Sequence, residues 1–115
     1  MARYTCSFLL STPIEQLEGL LHRALEACQL NIIHRSDDYW MALEAPGMVS
    51  YTQLVTVEIL IESTLKAHSE TRLHFIIKNE ELPIRANNHC RQVSEQLSQV
   101  LQASDRLCPL SNVTG

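Results

Sequence analysis

Two neighbouring stretches, 55–62 and 71–78, constrain the fold of this chain more than any other feature. In both, apolar residues alternate with residues that are mainly polar or charged, and this is the pattern of a strand with one buried face. Residues 63–69 between them are enough for the chain to turn back on itself. We therefore predict an antiparallel strand pair that buries one face and leaves the other open.

The remaining patterns predict a strand before this pair, a helix, two further strands and a closing helix. The predicted elements are a strand at Arg3–Leu10, a helix from Thr12-Pro13 to about Gln29, strands at Leu30–Arg35 and Tyr39–Glu44, and a last helix with Asn87 or Asn88 as N-cap. A length of 115 residues is typical of one domain. We predict a single α+β domain over residues 1–104 and a flexible C-terminal tail over 105–115.

The order of elements, β-α-β-β-β-β-α, predicts an α+β fold with a single antiparallel sheet and both amphipathic helices on one face. Over residues 3–104 this order resembles the TATA-binding-protein-like (TBP-like) fold, a resemblance of topology that implies no function. Around Lys78–Pro83 and Asn88–Arg91 the chain also resembles small proteins of cyanobacteria, which implies no particular activity. The second face of the sheet is left to solvent or to a partner.

Several large apolar residues are predicted to lie on this open face, where an exposed patch is typical of a binding surface. Alternation assigns the following residues to the interaction face: Trp40, Leu54, Glu58, Leu60, Arg72, His74 and Ile76. An exposed Trp among charged residues is a common interface anchor, so Trp40 is the centre of the predicted site. The predicted function is protein binding, either to a second copy of the chain or to a different protein.

A second hypothesis places a small hydrophobic ligand between the helices and the sheet. It requires an apolar cavity of roughly 300 Å³ or more in that position. Against it, a chain of this size needs most of its apolar residues to fill its own core.

No spacing in the chain predicts catalysis, a cofactor or a metal site. The five histidines include no pair four apart on a helix or two apart on a strand, so no chelate is expected. Cys90 belongs to the inward stripe of the last helix, which favours packing over nucleophilic chemistry. His74, near Glu58 and Glu62, would suit acid–base chemistry only inside a pocket. We predict a protein that is not an enzyme.

The charge of the chain, −4, does not favour phosphate backbones or anionic membranes. Phe8 and Phe75 are both predicted to point inward, and the charges of the open face are mixed. A nucleic-acid partner is therefore not expected, and neither is a membrane partner, since no apolar run reaches about 20 residues. With no signal peptide and four cysteines far apart, the expected location is the cytoplasm.

Overall fold

The computed structural model describes residues 1–10, 14–63, 71–82, 88–104 and 107–109. Within these ranges the chain forms six strands and two α-helices. Their bounds are β1 Ala2–Leu10, α1 Leu17–Ala27, β2 Leu30–Arg35, β3 Tyr39–Glu44, β4 Thr56–Ser63, β5 Thr71–Asn79, α2 His89–Gln102 and β6 Leu107–Pro109. Single turns of 3-10 helix at Ile14–Gln16 and Tyr51–Gln53 precede α1 and β4.

The six strands form one sheet in the order β2-β3-β4-β5-β1-β6, and every neighbouring pair is antiparallel. The register of the central hairpin pairs Glu62 with Arg72, Leu60 with His74 and Glu58 with Ile76. The predicted α+β fold, with one antiparallel sheet and two helices, is confirmed.

One face of the sheet is buried under α1 and α2, and this contact forms the core. Phe8 on β1 and Phe75 on β5 meet edge to face, with ring centroids 5.8 Å apart. The helices contribute apolar stripes at helical spacing: Leu17, Leu20, Leu21, Ala24 and Leu25 from α1, and Cys90, Val93, Leu97 and Leu101 from α2. The two phenylalanines therefore point inward, as the alternation predicts.

Asn88 begins α2 as its N-cap, one of the two positions predicted. Its Oδ1 accepts a hydrogen bond from the backbone N–H of Arg91 at 2.8 Å, and its Nδ2 donates to the Tyr4 hydroxyl at 2.8 Å. This side chain is buried, so it both caps α2 and fixes the helix to β1. The predicted start of the first helix at Thr12-Pro13 lies outside the described residues.

A short strand within the predicted tail extends the sheet. Leu107–Pro109 pairs antiparallel with β1, Leu107 lying opposite Leu10, and the Leu107 side chain is buried. The sequence analysis did not predict β6, because three residues are too few for an alternating pattern to be recognised. The rest of the predicted tail, 105–106 and 110–115, lies outside the described residues.

Candidate functional site

The open face of the sheet is formed by the side chains of β1, β3, β4 and β5 that point away from the helices. The register sets these side chains in cross-strand rows, since residues directly opposite each other share a face. One row runs Tyr39, Leu60, His74, Ser7, and the next runs Met41, Glu58, Ile76, Thr5. Five of the seven predicted interaction residues lie on this face: Glu58, Leu60, Arg72, His74 and Ile76.

Exposed apolar side chains lie on adjoining strands of this face. Leu60 on β4 is 42% exposed and Leu43 on β3 is 39% exposed. Met41 and Ile76, on the strands to either side of β4, are half-buried by their neighbours. Leu60 is near the middle of the face, between Tyr39 and His74, and it takes the central place that the sequence analysis gave to Trp40.

Trp40 itself is not on the open face, and its predicted placement there is wrong. The side chain is only 4% exposed, because β3 pairs Trp40 with the inward-pointing Ile59. Beneath α1 its ring meets the His22 ring edge-on, with centroids 6.4 Å apart, and the Arg35 guanidinium lies 5.8 Å from the Trp40 centroid. Trp40 therefore fixes α1 to the sheet and offers no surface to a partner.

Leu54 lies at one end of the open face rather than on a strand. It directly follows the 3-10 turn and is half-buried. With Leu43, Tyr51 and Lys78 it lines a shallow hollow of about 410 Å³. The prediction that Leu54 belongs to the open face therefore places it on the right side of the sheet, just before β4.

Glu58 is held at the centre of the face by two polar neighbours. The Tyr39 hydroxyl donates to Glu58 Oε1 at 2.7 Å, and Lys78 Nζ lies 3.2 Å from Glu58 Oε2. The hydrogen bond from Tyr39 lowers the pKa of Glu58 most; burial opposes this, and the Lys78 and Arg3 charges add to the lowering. The same hydrogen bond raises the pKa of Tyr39. Glu58 is therefore a fixed negative charge on this face.

A second polar chain crosses three strands through His74. Ser7 Oγ lies 2.8 Å from His74 Nδ1, and His74 Nε2 lies 3.1 Å from Glu62 Oε2. The order serine, histidine, carboxylate is the one used in nucleophilic catalysis, where a pocket and an oxyanion site accompany it. Here the three side chains stand on the open sheet surface, and neither of the clefts described next is lined by them. Their arrangement is that of a cross-strand polar ladder.

A histidine–carboxylate pair that the sequence analysis missed lies where α2 begins. His89 Nε2 lies 2.9 Å from both carboxylate oxygens of Glu44, and Glu44 Oε1 also accepts from the backbone N–H of Val55. Both side chains are largely buried, 16% and 10% exposed respectively. The two residues are 45 positions apart, so no spacing motif could have revealed the pair.

Two clefts border this pair. The larger, about 890 Å³, opens between the 3-10 turn at Tyr51–Gln53 and the start of α2 and is lined by His89, Ser50 and Glu81 among others. The smaller, about 400 Å³, lies between the end of α1 and α2 and is lined by Glu44, His89, Met48, Gln92 and Gln96 among others. Its volume exceeds the roughly 300 Å³ expected of a ligand site. Half of its lining residues carry a carboxylate, imidazole or amide side chain, however, whereas a hydrophobic ligand is expected to need an apolar gap.

The carboxylate of Glu81 occupies the N-terminal end of α2. Its oxygens accept from the backbone N–H groups of Cys90 at 3.1 Å and His89 at 3.5 Å and from the Asn79 amide. Burial raises the pKa of Glu81, but these hydrogen bonds outweigh burial and hold the pKa below its ordinary value. With Asn88 bonded to Arg91, the first N–H groups of α2 are used inside the protein, and the cleft presents no free helix end to an anion.

Comparison with known proteins assigns no family. No protein-family model matches the chain, and no curated protein matches it in sequence. Among the described residues, no helix has the length and apolar character needed to cross a membrane. Nor do three His, Cys, Asp or Glu side chains of the described part of the chain gather so as to hold a metal ion. The function has to be argued from the surface itself.

Proposed function

We propose that this chain is a non-enzymatic protein-interaction module that binds its partner through the open face of the sheet. The observation that carries the proposal is the position of Leu60, 42% exposed at the middle of a sheet whose other face is filled by two helices. A single exposed leucine needs no explanation. Leu60 has Met41 and Ile76 as diagonal neighbours on the adjoining strands, and Leu43 lies farther along β3. Several apolar side chains gathered on one exposed face are typical of a protein-binding site.

Charges around the apolar centre support a protein partner. Glu62 and Arg72 lie at one end of the face and Lys78 and Arg3 at the other, so the patch has a polar rim of both signs. Such a rim selects a partner with a matching pattern of charges and disfavours others. The face is suited to a specific protein contact.

A nucleic-acid function does not follow from the TBP-like element order. TATA-binding proteins use the open face of the sheet to grip a minor groove with basic side chains and inserted phenylalanines. Both phenylalanines of this chain are in the core, and the open face of β4 carries acidic Glu58 and Glu62. We therefore limit the resemblance to the element order, and propose protein as the ligand on the evidence of the face itself.

We place this function in the cytoplasm. All four cysteines are free thiols, three of them buried, as expected for a chain that matures where thiols stay reduced.

The proposal is tested by removing the apolar centre without disturbing the core. The variant Leu60→Ser with Ile76→Ser changes two open-face side chains, while Leu82→Ser changes a leucine that is 67% exposed and lies off the sheet. Tagged full-length chains are expressed in the source cells, and the proteins bound to them, including untagged copies of the chain, are quantified. We expect the double variant to lose at least about tenfold of the bound protein, since a central apolar contact is worth about 1–2 kcal/mol.

The Leu82→Ser chain should retain the bound protein at the level of the natural chain. Thermal unfolding of all three proteins shows whether the variants are folded. A folded double variant that recovers the same partners in the same amounts would contradict the proposal.

A further inference from the structure

We infer that the partner is a second copy of this chain, which faces the first across a two-fold axis lying parallel to the strands and between β4 and β5. This inference rests on the proposed function and adds the identity and orientation of the partner. It comes from the way in which charge is distributed between neighbouring strands of the open face.

Opposite charges are sorted onto different strands. The open face of β4 carries two acidic side chains, Glu58 and Glu62, and no basic one, whereas β5 carries Arg72 and Lys78. Arg3 on β1 stands directly beside Lys78 and adds to the basic side. An acidic strip and a basic strip therefore lie next to each other, with their boundary between β4 and β5.

Such a pair of strips is complementary to itself under one particular rotation. A two-fold axis along the boundary places β4 of each copy over β5 of the other and keeps the cross-strand rows aligned. Because Glu62 and Arg72 share a row, Glu62 of one copy then faces Arg72 of the other, and this contact occurs twice. The like-charged strips are kept apart.

A two-fold axis perpendicular to the strands gives the opposite result. If it crossed β5 at Phe75, it would place Arg72 of one copy over Lys78 of the other, again twice. Juxtaposed like charges at an interface are destabilising. Compared with this perpendicular axis, the charge pattern favours the axis parallel to the strands.

The proposed axis lies between the two central apolar side chains, Leu60 on β4 and Ile76 on β5. The aligned rows place Leu60 of one copy over His74 of the other and Ile76 over Glu58. The two copies of Leu60 come within side-chain reach across the axis when the sheets pack about 10 Å apart. With strands about 4.8 Å apart and about 3.3 Å per residue, β3, β4, β5 and β1 cover roughly 500 Å² in plan. The side chains make this surface uneven, so its accessible area is larger than the flat projection and approaches the roughly 800 Å² that each partner buries in a standard interface.

Arg72 is available for the contact between copies. It is exposed, and among the described residues it forms no ion pair, because its cross-strand neighbour Glu62 lies against His74 instead. Glu62 has a second oxygen that can accept from a guanidinium. Glu62 can therefore contact Arg72 of the other copy while it keeps its contact with His74.

Two charge-reversal variants test the inference. Glu62→Arg places Arg against Arg in the dimer, and Arg72→Glu places Glu against Glu, so each variant alone should dimerise at least about tenfold more weakly than the natural chain. An equimolar mixture of the two should recover the dimer, because each contact between unlike chains again joins an acid to a base. The dissociation constants are measured by sedimentation equilibrium of the full chain.

The mixture separates contact between chains from damage within one chain. Each reversal also places like charges beside each other on neighbouring strands of its own sheet, and mixing cannot repair that. Recovery in the mixture therefore reports the interface alone. If the natural chain remains a monomer at high concentration, or the mixture dimerises no better than either variant, the inference fails. The proposed function stands in that case if the Leu60→Ser, Ile76→Ser chain still loses a different bound protein.

Discussion

At the scale of single residues, three of the four cysteines are buried, and burial makes these three thiols harder to ionise. Burial raises the pKa of the Cys6 thiol to about 11. Burial, with smaller contributions from the Glu81 and Glu44 carboxylates, raises the pKa of Cys90 to about 12. Burial also raises the pKa of Cys28. Cys108 on β6 is exposed.

We expect native protein at pH 8 to react with a thiol reagent at least about tenfold faster at the exposed Cys108 than at the three buried cysteines. Only the thiolate is nucleophilic, and a pKa raised above the solution pH leaves little of it. For Cys6, raising the pH toward 11 increases the thiolate fraction about tenfold per unit while the fold persists. Mass spectrometry of the labelled peptides measures each rate. Rapid native labelling of Cys6 or Cys90 would show that the core is not packed as described.

Trp40 shows where sequence patterns stop being informative about single residues. In β4 and β5 the two faces differ clearly in composition, so alternation placed Glu58, Leu60 and His74 correctly. In β3 both alternating sets of side chains include large apolar groups: Tyr39 and Met41 belong to one set, and Trp40 belongs to the other. Only the pairing with β4 and the packing of α1 decide between them, and both are tertiary contacts.

At the scale of elements, α2 is fixed by side chains at its first turn. Asn88 joins this helix to Arg91 and to Tyr4 on β1, Glu81 accepts from its first N–H groups, and His89 joins it to Glu44 on β3. The sequence predicted the cap, since the N-cap preference is local. It did not predict the bonds to β1 and β3, which connect residues far apart in the chain.

Replacement of Asn88 by Ala should lower the free energy of unfolding by about 1–2 kcal/mol. The variant loses the cap of α2 and leaves the Tyr4 hydroxyl without this donor. The matched control is Asn31→Ala on β2, where the side chain is exposed and a change within about 0.5 kcal/mol is expected. Urea unfolding compares the two. Equal effects at both positions would contradict the role of Asn88 at the helix start.

At the scale of the whole molecule, one face of the sheet packs against the two helices, and we propose that the other face contacts a partner. The element order and the strand alternation together predicted this division, because alternation gives the sheet one apolar face and the two amphipathic helices can both pack on it. The open face carries Leu60 and Ile76 at its centre and oppositely charged strips on β4 and β5. Sequence alternation placed Glu58, Arg72 and both apolar side chains on this face, but the strips became visible only with the strand register.

The central claim is that the open face is the surface through which this protein contacts its partner in the cell. It is tested most directly by replacing Leu60 with a photo-crosslinking amino acid in the full chain and irradiating living cells. The same amino acid at Leu82, or at Gln99 on the outer side of α2, provides the controls. We predict a discrete protein adduct from position 60, whose mass is twice that of the chain if the partner is a second copy. Adducts from position 82 or 99 with none from position 60 would contradict the account.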